Sequence, residues 1–106
     1  MNTKFCLIKT MFNSEEEANS ITRQLLKKHL IVSGQIKKDI HSIYFWDNKI
    51  QSDKEIELTC FTEIRLKEEV FAYIKSKHSY DVCELICIPI IDISEEFATW
   101  ISDYIK

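Results

Sequence analysis

The chain is predicted to be an α+β domain, an antiparallel sheet built in the order β-α-β-β-α-β with one more helix at the C-terminus. Three observations predict it: a capped amphipathic helix early in the chain, two long strand-like runs joined at Asp47-Asn48-Lys49, and a proline inside the last apolar run. At 106 residues the chain has the size of one domain, so 1–106 is read as a single unit.

Lys4 to Phe12 opens with Phe5-Cys6-Leu7-Ile8, apolar on both faces, as suits a central strand. Ser14 and Glu17 have capping-box spacing, and Glu15, Glu16 and Glu17 suit the positive end of a helix dipole. The helix that follows places Ala18, Ile21, Leu25 and Leu26 on one face, and Lys27, Lys28 and His29 in its last turn. Ile31 to Trp46 and Asp53 to Phe61 read as a hairpin. Its second arm alternates, with Ile56, Leu58 and Cys60 opposite Glu55, Glu57 and Thr59. Asn48 tolerates a left-handed backbone and marks the turn, while Gly34, the only glycine, is expected to mark a bulge. Arg65 to His78 is a second helix, turning Leu66, Val70, Ile74 and one of Phe71 or Tyr73 inward. Glu84 to Ile91 is the last strand, and Pro89 assigns it to a sheet edge because proline donates no ladder hydrogen bond. Ser94 and Glu95 open a short helix with Phe97, Trp100, Ile101, Tyr104 and Ile105 in one stripe. This is the ferredoxin-like arrangement, with the first and third strands central.

Composition narrows the function classes. Acidic and basic residues are interspersed with a net charge of −3, and the densest basic pair, Lys37-Lys38, is followed at once by Asp39. Nucleic-acid binding, which draws most of its affinity from a basic footprint, is disfavoured. No apolar run approaches the ~20 residues that span a bilayer, so no membrane partner is expected. Met1-Asn2-Thr3-Lys4 leads into the first strand without a leader-like apolar region. Cys6, Cys60, Cys83 and Cys87 are irregularly spaced and read as reduced thiols, which points to the cytoplasm.

The hairpin is longer than its own sheet needs. Its arms run about a dozen residues, roughly 40 Å, whereas the last strand covers little more than half of that. The distal end therefore overhangs, yet Ile43-Tyr44-Phe45-Trp46 and Ile50 make it the most aromatic part of the chain. A bare ribbon of this kind invites pairing. The helical stripe of Phe97, Trp100 and Tyr104 offers a second surface, and the expectation is a homo-oligomer.

Ser42-Ile43-Tyr44-Phe45-Trp46-Asp47-Asn48-Lys49-Ile50 resembles the hairpin of the CutA family, the divalent-cation tolerance proteins. Glu55 matches an acidic position on the returning strand, and His78-Ser79-Tyr80-Asp81-Val82-Cys83-Glu84-Leu85 resembles a later His-Pro-Tyr-Glu-Val-Pro-Glu-Ile motif. Ile88-Pro89-Ile90 and Trp100-Ile101 complete a likeness that spans nearly the whole chain. The chain departs from that pattern at Asn48 for a glycine, Ser33 for a cysteine, Gln35 for an asparagine and Phe61 for a lysine. Ser79 and Cys83 stand in place of prolines and Phe97 in place of a tyrosine, so it resembles a divergent member. The resemblance implies a tight homotrimer in which neighbouring hairpins complete one another's sheets. It also implies a link to tolerance of copper and other divalent cations, with no defined reaction; animal relatives are linked to membrane-enzyme anchoring. Ile43, Phe45, Ile50, Phe97 and Trp100 are then the trimer-interface candidates.

His78 is the best single metal-ligand candidate and Cys83 a weaker one, donors that suit copper or zinc. The alternative for His78 is a structural hydrogen bond. Cys6, Cys60 and Cys87 read as core residues. No nucleophile with a base and an orienting group is identifiable, so no enzymatic reaction is expected. An intersubunit cleft lined by Tyr44, Trp46, Glu55, His78, Tyr80 and Glu84 is the place for a ligand. By fold analogy alone, a small-molecule sensor of the PII type is one alternative, and a purely structural or anchoring trimer is the other.

Overall fold

The structure, a computed structural model, describes residues 3–106; Met1 and Asn2, part of the leader argument, lie outside the described residues. The elements are β1 (Phe5–Phe12), α1 (Glu15–Lys27), β2 (Ser33–Trp46), β3 (Lys49–Glu63), α2 (Lys67–Lys77), β4 (Leu85–Pro89) and α3 (Glu95–Tyr104). A 3₁₀ turn over Ile64–Leu66 leads into α2, so that helix begins two residues later than its periodicity suggests. The sheet runs β2-β3-β1-β4, antiparallel throughout, with β1 central and the proline strand at the edge as predicted.

The core lies between one sheet face and α1 and α2. Cys6, Ile8 and Phe12 of β1 and Leu58 and Cys60 of β3 point into it. They meet Ala18, Ile21 and Leu25 of α1 and Val70 and Ile74 of α2. Leu26 is partly exposed instead, and Thr22 takes its inward place, its hydroxyl donating to the Ala18 carbonyl at 2.7 Å. Helix α3 packs on the opposite sheet face, where Ile101 is buried with Phe5 and Val32 and Phe97 meets Phe61 edge-on. Glu63, almost buried, holds that helix down: Ser102 Oγ and Arg65 Nε each donate to it at 2.7 Å, with Lys4 Nζ at 3.5 Å.

Gly34 does not mark a bulge. A Cβ there would stand 2.6 Å from Thr22 Cγ2 and 3.1 Å from Leu58 Cδ1, so the glycine serves the close approach of β2 to α1. The bulge comes four residues later. Lys37 pairs with Glu57 and Ile40 with Glu55, leaving Lys38 and Asp39 opposite Ile56, with Asp39 at φ 60°. Short polar side chains tolerate that left-handed backbone best. At the hairpin end Asp47 and Asn48 both have positive φ, 52° and 58°, and Trp46 pairs with Lys49. That is the two-residue turn whose twist matches the strands it joins.

The overhang is real. Strand β1 pairs with β3 only from Phe5–Glu63 to Phe12–Ile56, so Lys49–Glu55 and the β2 residues opposite have no third strand beside them. The radius of gyration, 14.5 Å, exceeds the about 13 Å of a compact chain this long, because the ribbon projects.

Candidate functional site

The site begins with the fastening of the segment between α2 and β4. His78, the C-cap of α2, turns its ring under that segment with no side-chain exposure. The Tyr80 N–H donates to Nδ1 at 3.1 Å, so Nε2 carries the proton and donates to the Met11 carbonyl at 2.6 Å. The ring stacks on Phe12 with centroids 4.4 Å apart. Glu17 completes the fastening by accepting from the Ser79 N–H at 2.7 Å. Its carboxylate is thus drawn away from the capping box, in which only the Ser14 half forms, at 3.1 Å.

So anchored, Tyr80 reaches over β3 and donates its hydroxyl to Glu55 Oε2 at 2.9 Å. Burial, then that carboxylate acceptor, push its phenol well above the ordinary range. On the same face Tyr44 donates to Asp53, and that bond followed by burial raises its phenol as well. Lys9 bridges Glu57 and Glu84, at 3.7 Å to each.

Both tyrosines, with Glu55 and Glu84, border an open cleft of about 640 Å³ on the sheet face away from α1 and α2. Its lining takes in Tyr44, Trp46, Glu55, Tyr80 and Glu84, together with Cys83. Five cleft residues named from sequence therefore meet in one place, and His78 stands behind them as the fastener. The bulge at Lys38-Asp39 is what brings the right aromatics there. Before it, Gln35 and Lys37 pair with Thr59 and Glu57; after it, Ser42, Tyr44 and Trp46 pair with Asp53, Gln51 and Lys49. One extra residue inverts which residues face which side. Met11, Asp81 and Val82 also line the cleft and were not singled out from sequence. The alternation of β1 carried the signal for Met11, and the closeness of Asp81 to Tyr80 that for Asp81.

As a metal centre the single chain is incomplete. Among the described residues no group of three or more His, Cys, Asp or Glu side chains stands close enough to hold an ion. Ligation by His78 would require one of its two main-chain bonds to break. Cys83 is half-buried at the cleft and free. Cys6 and Cys60 lie in the core, and burial pushes both thiols up to about 12, for Cys6 with help from its neighbour Cys87.

The interface candidates are largely exposed, and Ile43 and Phe45 border the cleft as well. Ile43 is 65% exposed, Phe45 77% and Ile50 71%, and Trp100 is also exposed while Phe97 is half-buried against it. No helix of the described residues is long and apolar enough to cross a membrane.

The family model described as CutA1 divalent ion tolerance protein matches residues 6–104. The chain belongs to the CutA1 family. The divalent-cation tolerance protein CutA of Pyrococcus horikoshii is 32% identical over 100 residues, spanning 94% of this chain and 97% of that one. Among solved CutA structures, that of the periplasmic divalent cation tolerance protein of Archaeoglobus fulgidus superposes with a TM-score of 0.93 at 30% identity, covering 96% of this chain and 99% of that one. CutA1 of the psychrotrophic bacterium Shewanella sp. SIB1 gives 0.94 at 27% identity, covering 99% of this chain and 98% of that one. Family membership thus extends over the hairpin, the His78–Glu84 segment and the closing helix alike.

Proposed function

We propose that this CutA1 family member acts by binding, as a cytoplasmic homotrimer in the response to divalent metal ions including copper, and catalyses no reaction. The observation that carries the reading is the hairpin end. Ile43, Phe45 and Ile50 stand more than half exposed on a ribbon with unpaired edges, and a second copy of the chain is the partner that matches both its apolar faces and its open ladder. The Pyrococcus horikoshii relative is named for divalent-cation tolerance. Glu55, Glu84 and Cys83 supply the oxygen and sulfur donors at the cleft, with Cys83 the one that favours copper. Because one chain does not assemble a full ligand set, donors from an adjoining copy would complete it. Four free cysteines support a reducing compartment.

Sedimentation and metal titration of the same preparation test the reading. The expected result is a species of three times 12.6 kDa that takes up Cu(II) or Zn(II) stoichiometrically, with uptake weakened by Cys83→Ser and Glu84→Gln. A 12.6 kDa species, or uptake indifferent to both substitutions, would refute it.

A further inference from the structure

We infer that the cleft beneath the hairpin is a site for an organic cation, an ammonium or guanidinium compound with an apolar body, and not for a phosphate-bearing ligand. The inference rests on the reading of this chain as a binding protein and adds a ligand class to it. Three properties of the cleft converge on that chemistry.

The first is charge. Glu55, Asp81 and Glu84 line the cavity, and among the described residues of the chain no lysine, arginine or histidine does. Lys9, beside Glu84, is already shared between Glu57 and Glu84. An anion entering here meets carboxylates of which only Glu84 has a cation beside it, whereas a cation gains charge-assisted hydrogen bonds.

The second is the wall. Tyr44, Trp46 and Tyr80 put three aromatic rings around the same space, and ring faces attract weakly hydrated organic cations. The ring faces offer a small divalent ion no ligands of their own. Such an ion would depend on the carboxylate and thiol donors and on an adjoining copy, whereas an organic cation uses walls and carboxylates together.

The third is preorganisation. The Glu55 carboxylate is held by the Tyr80 hydroxyl, and Tyr80 is held by the His78 ring. One oxygen of Glu55 is thus oriented in advance, with acceptor capacity to spare. The volume, about 640 Å³, lies in the range that takes a small organic molecule.

Titration calorimetry of the intact, assembled protein tests this, with spermidine, tetramethylammonium, ATP and Zn(II) as separate probes at matched ionic strength. Saturable heat is expected for spermidine and none for ATP. Glu55→Gln should weaken spermidine by about tenfold, the loss of one charge-assisted contact. Tyr80→Phe, which keeps the ring but removes the bond that orients Glu55, should bind a few-fold more weakly, and Tyr80→Leu, which loses the ring as well, about tenfold more weakly. The inference is overturned if neither organic cation binds up to millimolar concentration, if ATP binds in their place, or if Glu55→Gln and Tyr80→Leu both leave spermidine unaffected. Glu55-dependent heat from Zn(II) with none from spermidine overturns this inference and leaves the metal-binding reading standing. Sedimentation of the same samples separates the two ideas. A trimer that ignores spermidine sinks this inference alone; a monomer that binds it sinks the assembly alone.

Discussion

Thr22 and Gly34 show how one methyl group sets a helix-to-sheet distance. Thr22 is β-branched, and its hydroxyl is tied to the Ala18 carbonyl at 2.7 Å, so its Cγ2 has little freedom to retreat. Gly34→Ala places a Cβ 2.6 Å from that methyl and should cost about 1–3 kcal/mol of overpacking. Thr22→Ser removes the methyl and keeps the hydroxyl. The double variant is therefore expected to recover most of the loss, measured as the midpoint of urea unfolding against each single change. At His78 both ring nitrogens and the Phe12 stack are at stake. His78→Ala leaves the Met11 carbonyl and the Tyr80 N–H without partners, and should destabilise by about 2–4 kcal/mol. His78→Phe keeps the stack and should lose less. A His78→Ala protein as stable as the wild type would contradict the fastening role.

At the scale of elements, the docking of α3 is sensitive to acid. Burial works to raise the Glu63 pKa, but hydrogen bonds from Ser102 and Arg65 and the charges of Lys4 and Arg65 outweigh it, and the net direction is downward from 4.5. A carboxyl held below its unfolded value stabilises fully above that value, and the contribution disappears as pH falls through the folded one. Lowering the pH from neutrality should leave the thermal midpoint unaffected by Glu63 down to about pH 4.5, then lower it below. Glu63→Gln should start lower and show a shallower acid decline, read by scanning calorimetry across the series. An identical acid decline in both proteins would remove Glu63 from the account. Arg65 also reaches the Lys106 carbonyl, and the Lys106 N–H donates to the His29 carbonyl at 2.8 Å. Loosening α3 thus frees the C-terminus as well.

For the whole molecule, the projecting ribbon is the feature that one chain does not resolve. A two-stranded ribbon is marginal in water, and its exposed apolar side chains raise the cost of standing alone. Phe45→Asp with Ile50→Lys replaces two of the most exposed apolar side chains of the tip while leaving the core of β1, α1 and α2 untouched. The variant should sediment at 12.6 kDa, keep its far-ultraviolet dichroism and melt well below the wild type, since coupling to assembly then no longer adds to stability. If it remains assembled, the tip is not the contact. The cleft and the tip share Ile43, Tyr44, Phe45 and Trp46, so binding at the one is expected to alter the stability of the other.

Pattern in the sequence was sufficient for the elements, the strand order and the hairpin turn. Alternation in β3, helical spacing in α1 and the position of Pro89 are local consequences of backbone geometry, legible without coordinates. The likeness at Ser42–Ile50 and His78–Leu85 brought the cleft residues into view together. Its interior arrangement was not legible. Whether Tyr44 or Phe45 faces Glu55 depends on a single unpaired residue near Lys38-Asp39, and nothing in the composition of that stretch announces a slip, because the glycine that looked like its mark serves a different contact. His78 likewise needed the fold. Whether an imidazole is a ligand or a fastener is decided by what its two nitrogens meet, and both partners, Met11 and Tyr80, reach it through main-chain atoms that any residue type would supply. Side-chain identity is written in the sequence; the parity of a bulged strand and the partners of a buried ring arise only when distant segments pack.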